Sequence, residues 1–232
     1  MSHLANKGTH DDLRVALSAH GLALRGSFAP VSEDALSTLS NGQAAASVCM
    51  VGVIGSGFWP HFKASAFFSD GQSDPLDRWS RAIGEELAAR FGGIALFPFD
   101  GPPYHPFQRW ADRSEPTQAS PMMLRIHPQH GLWHAYRFAL ALPLAPASQT
   151  TAQPADLCLS CSGQPCLQAC PVGAYTGAAF LLDACASHLH SSQGAHCMQS
   201  ACLARRACPV APELRYTEEH AAFHMRAFAQ RH

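Results

Sequence analysis

Eight of the nine cysteines fall between Cys158 and Cys208, and thiols gathered that densely bind metal or cross-link the chain. The first run reads Cys158-Leu-Ser-Cys161-Ser-Gly-Gln-Pro-Cys166-Leu-Gln-Ala-Cys170-Pro171. Three thiolates lie on one short loop and a fourth opens a Cys-Pro turn, the pattern of an iron–sulfur run. Gly163 and Pro165 let the loop curl three sulfurs around one corner of a cubane, so that Cys170 points elsewhere. A cysteine before a proline that serves another cluster requires a second group downstream. Cys185, Cys197, Cys202 and Cys208-Pro209 supply it. Zinc and disulfides are the competing chemistries. Zinc knuckles use two Cys-x2-Cys hooks, of which the chain has one, at Cys158 and Cys161. Disulfides need an oxidising compartment, which nothing in the sequence indicates.

The cysteine-rich third, about fifty residues from Cys158 to Cys208, resembles two-cluster bacterial ferredoxin domains, including those on the C-terminal side of the epoxyqueuosine reductases. The wide gap from Cys161 to Cys166, with Pro165 before the third cysteine, resembles the ferredoxin-type subunits of molybdenum oxidoreductases. Cys170-Pro171-Val172-Gly173-Ala174 fits that pattern too. The second group departs from it, being spaced more widely than a compact run. The resemblance implies two 4Fe-4S clusters with crossed ligands. One would take Cys158, Cys161, Cys166 and Cys208, the other Cys170, Cys185, Cys197 and Cys202. Leu157, Leu159, Leu167, Val172, Leu181, Leu182, Leu203 and Val210 are expected to exclude water and lower the potential. Amides near Gly163, Gly173 and Gly177 would raise it by donating to sulfur.

The elements that carry these residues follow from the rest of the chain. At 232 residues, 47% hydrophobic and 14% charged, it has length for one core and a small appended domain. A net charge of -1 and the lack of a basic run speak against a nucleic-acid partner. The polar N-terminus and the absence of a long apolar stretch speak against a signal peptide or membrane span. A cytoplasmic setting is expected. Leu13–His20 reads as a short helix and Leu22–Phe28 as a strand. Ser47–Ile54 reads as a buried strand, carrying Cys49 as a core residue and ending in a plain Gly55-Ser-Gly57 turn. Asp74-Pro75 reads as a side-chain cap opening a helix with Leu76, Trp79, Ile83 and Leu87 on one face. Gly92-Gly93 ends it, and Ile94–Phe99 follows as a strand.

Five prolines between Pro98 and Pro116 make a long irregular loop expected. Its residues Tyr104, His105, Phe107, Arg109 and Trp110 either wall a pocket or seal the core. Met122–His127 and Leu132–Leu142 read as a hairpin, with Leu132, His134, Tyr136, Phe138, Leu140 and Leu142 on one face and a mostly small set on the other. A helix or a planar cofactor could approach the small face. Ile126-His127-Pro128, Gly131, Trp133, Ala135 and Arg137 resemble a segment of the cobalamin-processing decyanase family over about twenty residues. That resemblance implies a nitroreductase-like α+β fold and a pocket for a cobalamin or a flavin, with His127, Trp133, Arg137, Tyr104 and Arg109 as candidate contacts. Read structurally, His127 is a hydrogen-bonded surface group near a turn.

Pro143–Pro154 reads as a linker. The expected organisation is α+β: a sheet-and-helix domain over 1–145, a linker over 146–156, and a cysteine-rich ferredoxin-like domain over 157–232. Thr217 is expected to cap a final helix with Ala221, Met225 and Phe228 as its stripe. Arg205 and Arg206 read as a solvated face or as a dock for an acidic partner. The architecture resembles that of the epoxyqueuosine reductases and the reductive dehalogenases, in which clusters feed electrons to a corrinoid. The functional expectation is an iron–sulfur redox protein that passes electrons to a cobalamin, a flavin, a protein partner or a small-molecule acceptor. Two alternatives stay open: a non-catalytic ferredoxin-type carrier whose N-terminal domain docks partners, and a structural metal protein.

Overall fold

The computed structural model describes residues 9–147 and 156–232. Its contacts divide the chain into two compact units, Met1–Glu115 with Ala135–Thr151, and Pro116–His134 with Ala152–His232. This division differs from the expected boundary near 145, because Pro116–His134 groups with the cysteine-rich segment. Most of the expected linker lies outside the described residues. The strands are β1 (Ala23–Phe28), β2 (Ser47–Ile54), β3 (Ile94–Leu96), β4 (Gln118–Ala119), β5 (Arg125–Ile126) and β6 (His134–Leu142). The helices are α1 (His10–Ser18), α2 (Trp59–Lys63), α3 (Ala66–Ser69), α4 (Pro75–Phe91), α5 (Phe107–Ser114), α6 (Pro165–Gln168), α7 (Leu182–His190), α8 (Ala195–Ser200), α9 (Leu203–Arg206) and α10 (Glu218–Arg231). The fold is mixed helix and sheet, and no helix among the described residues is long and apolar enough to cross a membrane.

The first unit is built on a sheet of order β1-β2-β6-β3, with β1 antiparallel to β2 and β3 antiparallel to β6. Ser47–Val53 of β2 is buried at every position, as a central strand requires when both faces are covered. Gly52 is fixed by a neighbour, since a Cβ there would sit 2.2 Å from the Ala135 carbonyl oxygen. Helix α1 begins before its apolar periodicity because Thr9 and Asp12 form a capping box. Asp74, expected as a side-chain cap, makes no cap hydrogen bond and adopts a left-handed conformation (φ 49°). Pro75 still opens α4, and Gly92 closes it at φ 70°.

Two sequence expectations change here. Strand β3 stops at Leu96, and the proline-rich segment contains a helix, α5, whose Trp110 is fully buried. The prolines crowd before and after Phe107–Ser114 and leave that stretch free to turn. The long hairpin does not form: β5 pairs with β4, His127 and Gly131 make an isolated bridge, and β6 enters the larger sheet. Phe138–Leu142 is buried throughout, which a two-stranded ribbon cannot provide. The alternation along β6 also breaks. Arg137 bonds Ser80 and Asp77 of α4, and Phe138 lies beside Gly84 of the same helix. Ala139 and Ala141 instead pack with Trp110, Met50 and Val48. The small face is thus filled by α5 and its indole.

The second unit has a two-stranded ribbon, β4 with β5, and helices. α10 packs on α8 and α7, and α6 packs on α9. Thr217 caps α10 by accepting from the His220 amide at 3.5 Å. The expected stripe is buried in two places. Ala221 packs with Trp133, Ala201 and Tyr216. Met225 and Phe228 pack against Leu189 and Cys197.

Candidate functional site

Within the second unit the eight thiols collect in two groups of four. Cys158, Cys161, Cys166 and Cys208 line one cavity. Cys170, Cys185, Cys197 and Cys202 line another. Chain geometry explains the partition. The loop around Gly163 (φ 70°) returns Cys166 towards Cys158 and Cys161, while one turn of α6 and the Cys-Pro step carry Cys170 to the other side. Cys208, just beyond α9, supplies the fourth thiol of the first group, and Cys202, at the start of α9, serves the second.

The walls are apolar. Met122, Ile126, Leu132, Leu157 and Val210 enclose the first cavity. Val172, Leu189, Leu203 and Met225 enclose the second. Of the leucines and valines expected to exclude water, Leu157, Val172, Leu203 and Val210 do line cavities. Leu159 is 82% exposed, and Leu181 and Leu182 also face solvent. Residues 120–132 were not legible as part of this site, and they form one wall of the first cavity. Gly131 holds that wall close: its φ is +56°, and a Cβ there would lie 2.2 Å from the Val210 carbonyl oxygen, two residues after Cys208. Arg205 adds a second tie by donating to the Leu132 carbonyl, with its guanidinium 5.0 Å from the Trp133 ring and 4.5 Å from that of Tyr216. Arg206 donates to the Ser200 carbonyl at 2.8 Å. These arginines brace the fold and are not a merely solvated face.

Burial, reinforced by the neighbouring thiols, pushes Cys158 and Cys185 up to about 11. Burial likewise raises Cys166, Cys197, Cys202 and Cys208. These thiols are protonated at neutral pH without a cation, so a bound cationic core must displace their protons. A backbone donor to sulfur comes from Ala174, whose amide lies 3.2 Å from Cys170 Sγ. Ala174 follows Gly173, so the donor expected near Gly173 is present, while the Gly173 amide itself donates to the Cys170 carbonyl at 3.1 Å.

Spacing between the sulfurs bears on which metal would fit. Tetrahedral zinc at about 2.3 Å from each sulfur holds its thiolates about 3.8 Å apart. Among the described residues, no three cysteine sulfurs lie mutually within 4.8 Å. A cubane places four irons between its thiolates and spreads them further, and four thiols per group could hold such a core.

The five candidate contacts for a corrinoid or flavin do not gather around a cavity. Trp133 is fully buried beneath Arg205 and Tyr216. His127 is buried, with its Nδ1 accepting from the Gln129 amide and its ring stacked on His130 at 4.2 Å. Arg137 is committed to Asp77 at 2.6 Å, and Tyr104 and Arg109 are exposed. None of the five lines either thiol cavity or the open cavity in the first unit walled by His20, His61, Phe67 and Trp79. Cys49 is a buried core thiol within β2. No protein-family model matches the chain, and no curated protein or solved structure is detectably similar to it.

Proposed function

We propose that this chain is an electron-transfer protein whose second unit is a ferredoxin-like holder of two 4Fe-4S clusters. Cys158, Cys161, Cys166 and Cys208 would bind one, and Cys170, Cys185, Cys197 and Cys202 the other. The observation that carries the reading is the pair of apolar cavities with four thiols each, in which Cys170 and Cys208 cross between the sequence groups. Bound clusters would supply one-electron carriers that need no substrate chemistry from the protein. The chain's own part is to hold four thiolates per site, exclude water with Met122, Ile126, Leu203 and Met225, and direct the Ala174 amide at sulfur. Nine free cysteines suit a reducing compartment such as the cytoplasm. The exchange partners are a low-potential one-electron donor and a one-electron acceptor, protein or small molecule.

A cobalamin or flavin is not part of this proposal, because its candidate contacts are committed elsewhere or exposed. The test is iron, acid-labile sulfide and zinc per chain on anaerobically prepared protein, with an electron paramagnetic resonance spectrum after dithionite reduction. Roughly eight irons with matching sulfide and an interacting spectrum are expected. Zinc without sulfide would overturn the reading.

A further inference from the structure

The two thiol groups differ in what donates to them. In the first, the wall beside the thiols is mostly apolar, with Met122, Ile126, Leu132 and Val210. The polar side chains on that cavity wall are turned to backbone: Ser120 Oγ donates to the Leu124 carbonyl at 2.8 Å, and Gln164 Nε2 to the Cys158 carbonyl at 3.4 Å. In the second group, the Ala174 amide donates to Cys170 Sγ at 3.2 Å. Two side chains join it. Tyr175 lines the same cavity beside Cys202, and His188 Nε2 lies 3.8 Å from Cys197 Sγ. Since a metal-bound thiolate only accepts, Nε2 is the donor in that pair.

A donor to sulfur stabilises the reduced, more negative state of the centre it touches and raises its potential. Positive charge raises the potential of the first group's centre in the same way, through Arg205 and Arg215 near Cys208. Asp156 beside Cys158 opposes them. Arg215 is exposed and screened by solvent, and Arg205 is bound to the Leu132 carbonyl. The direct donors to sulfur therefore decide the order.

Resting on the two-cluster reading, we propose that the centre held by Cys170, Cys185, Cys197 and Cys202 has the higher potential and that Tyr175 and His188 are the positioning residues that set it. Electrons then pass from the first thiol group's centre to the second's. One electron leaves the first, which is oxidised by one unit, and arrives at the second, which is reduced by one; no bond breaks and no proton moves. The electron enters from a low-potential one-electron reductant.

The test is an anaerobic redox titration of the holoprotein with dithionite, followed by electron paramagnetic resonance, on parent, Tyr175→Phe, His188→Leu and the double variant. Iron and sulfide are counted on the same samples. Two one-electron steps are expected in the parent. In the double variant the more positive step moves to more negative potential, changing the reduced-to-oxidised ratio at fixed poise at least tenfold, 59 mV for one electron. The other step stays in place. His188→Gln, which keeps an N–H donor, restores most of the shift and decides the matter should His188→Leu bind less iron. Movement of the more negative step, or of neither step at parental iron content, overturns the assignment. A parent without iron and sulfide would instead remove the two-cluster reading on which it rests.

Discussion

The two units solve the problem of an interior differently. Among the largest fully buried side chains, Trp110, Phe58, Phe62, Phe91, Phe97, Phe138 and Leu13 all belong to the first unit, and Trp133 alone belongs to the second. The first unit interleaves a four-stranded sheet with helices and fills the gaps with aromatic rings, such as Trp110 against Phe28 at 6.2 Å. A deeply buried ion pair there is bidentate and shared: Arg25 donates to both carboxylate oxygens of Glu115, which also accepts from the Tyr136 hydroxyl. In the second unit, thiols take the place of large side chains at the centres. Cys208 counts among its buried apolar residues beside Met122 and Ile126, and Cys197 beside Leu189 and Ala229. Hydrocarbon burial is the main stabilising force in one interior, whereas on the proposed reading bridged sulfurs would stabilise the other.

Metal removal should separate them most. Chelation under reducing conditions is expected to leave amides of β2 and β6 protected from hydrogen exchange while those of α6 to α9 exchange freely. A second unit that stays protected without metal would mean that its apolar walls suffice alone. The next largest effect is expected in the first unit. Trp110→Ala opens a cavity among Phe28, Val48 and Met50 and removes one of the donors to Asp34, at a cost of about 3–5 kcal/mol, read by denaturant unfolding of the β2 amides. Gly131→Ala should be smaller, about 2 kcal/mol or more, from the left-handed backbone and the overlap with Val210. It should also lower iron retained by the first thiol group ahead of the second. Equal retention by both would show that the ribbon wall is not specific to Cys208.

The same contrast explains what the sequence disclosed. The two thiol groups were legible because a loop of nine residues, Cys158 to Cys166, fixes three sulfurs locally, and the Cys-Pro steps signal the exchange of the fourth. The α4 core face was legible because Leu76, Trp79, Ile83 and Leu87 repeat at helical period, and all are buried. The placement of residues 116–134 was not, because an apolar alternation ending in a turn looks the same whether its strands pair with each other or part. Five prolines concealed α5, although Phe107–Ser114 contains none. Tyr175 and His188 were missed because their partners lie 27 and 9 positions away. One signal was available: His188 stands three residues after Cys185 on α7, which puts both on one helical face.

The smallest expected effect distinguishes the first unit by acid. Asp34 is 6% exposed and accepts from the Val31 amide at 2.9 Å, from Trp110 Nε1 at 2.8 Å and from Arg113. Burial alone would raise its carboxyl; the three donors outweigh it and hold the group below the usual aspartate range. A carboxylate whose native value is depressed stabilises the fold above its unfolded value, about 3.9. That contribution is lost as pH falls through the native value. Asp34→Asn keeps the shape, removes the charge facing Arg113, and should destabilise the first unit at neutral pH. The gap between parent and variant should then narrow as the parent's carboxylate protonates. Denaturant unfolding of both proteins between about pH 2 and pH 6 reads this directly. A gap that stays constant across that range would mean that shape and hydrogen bonding, and not the charge of Asp34, hold Trp110 and Arg113 in place.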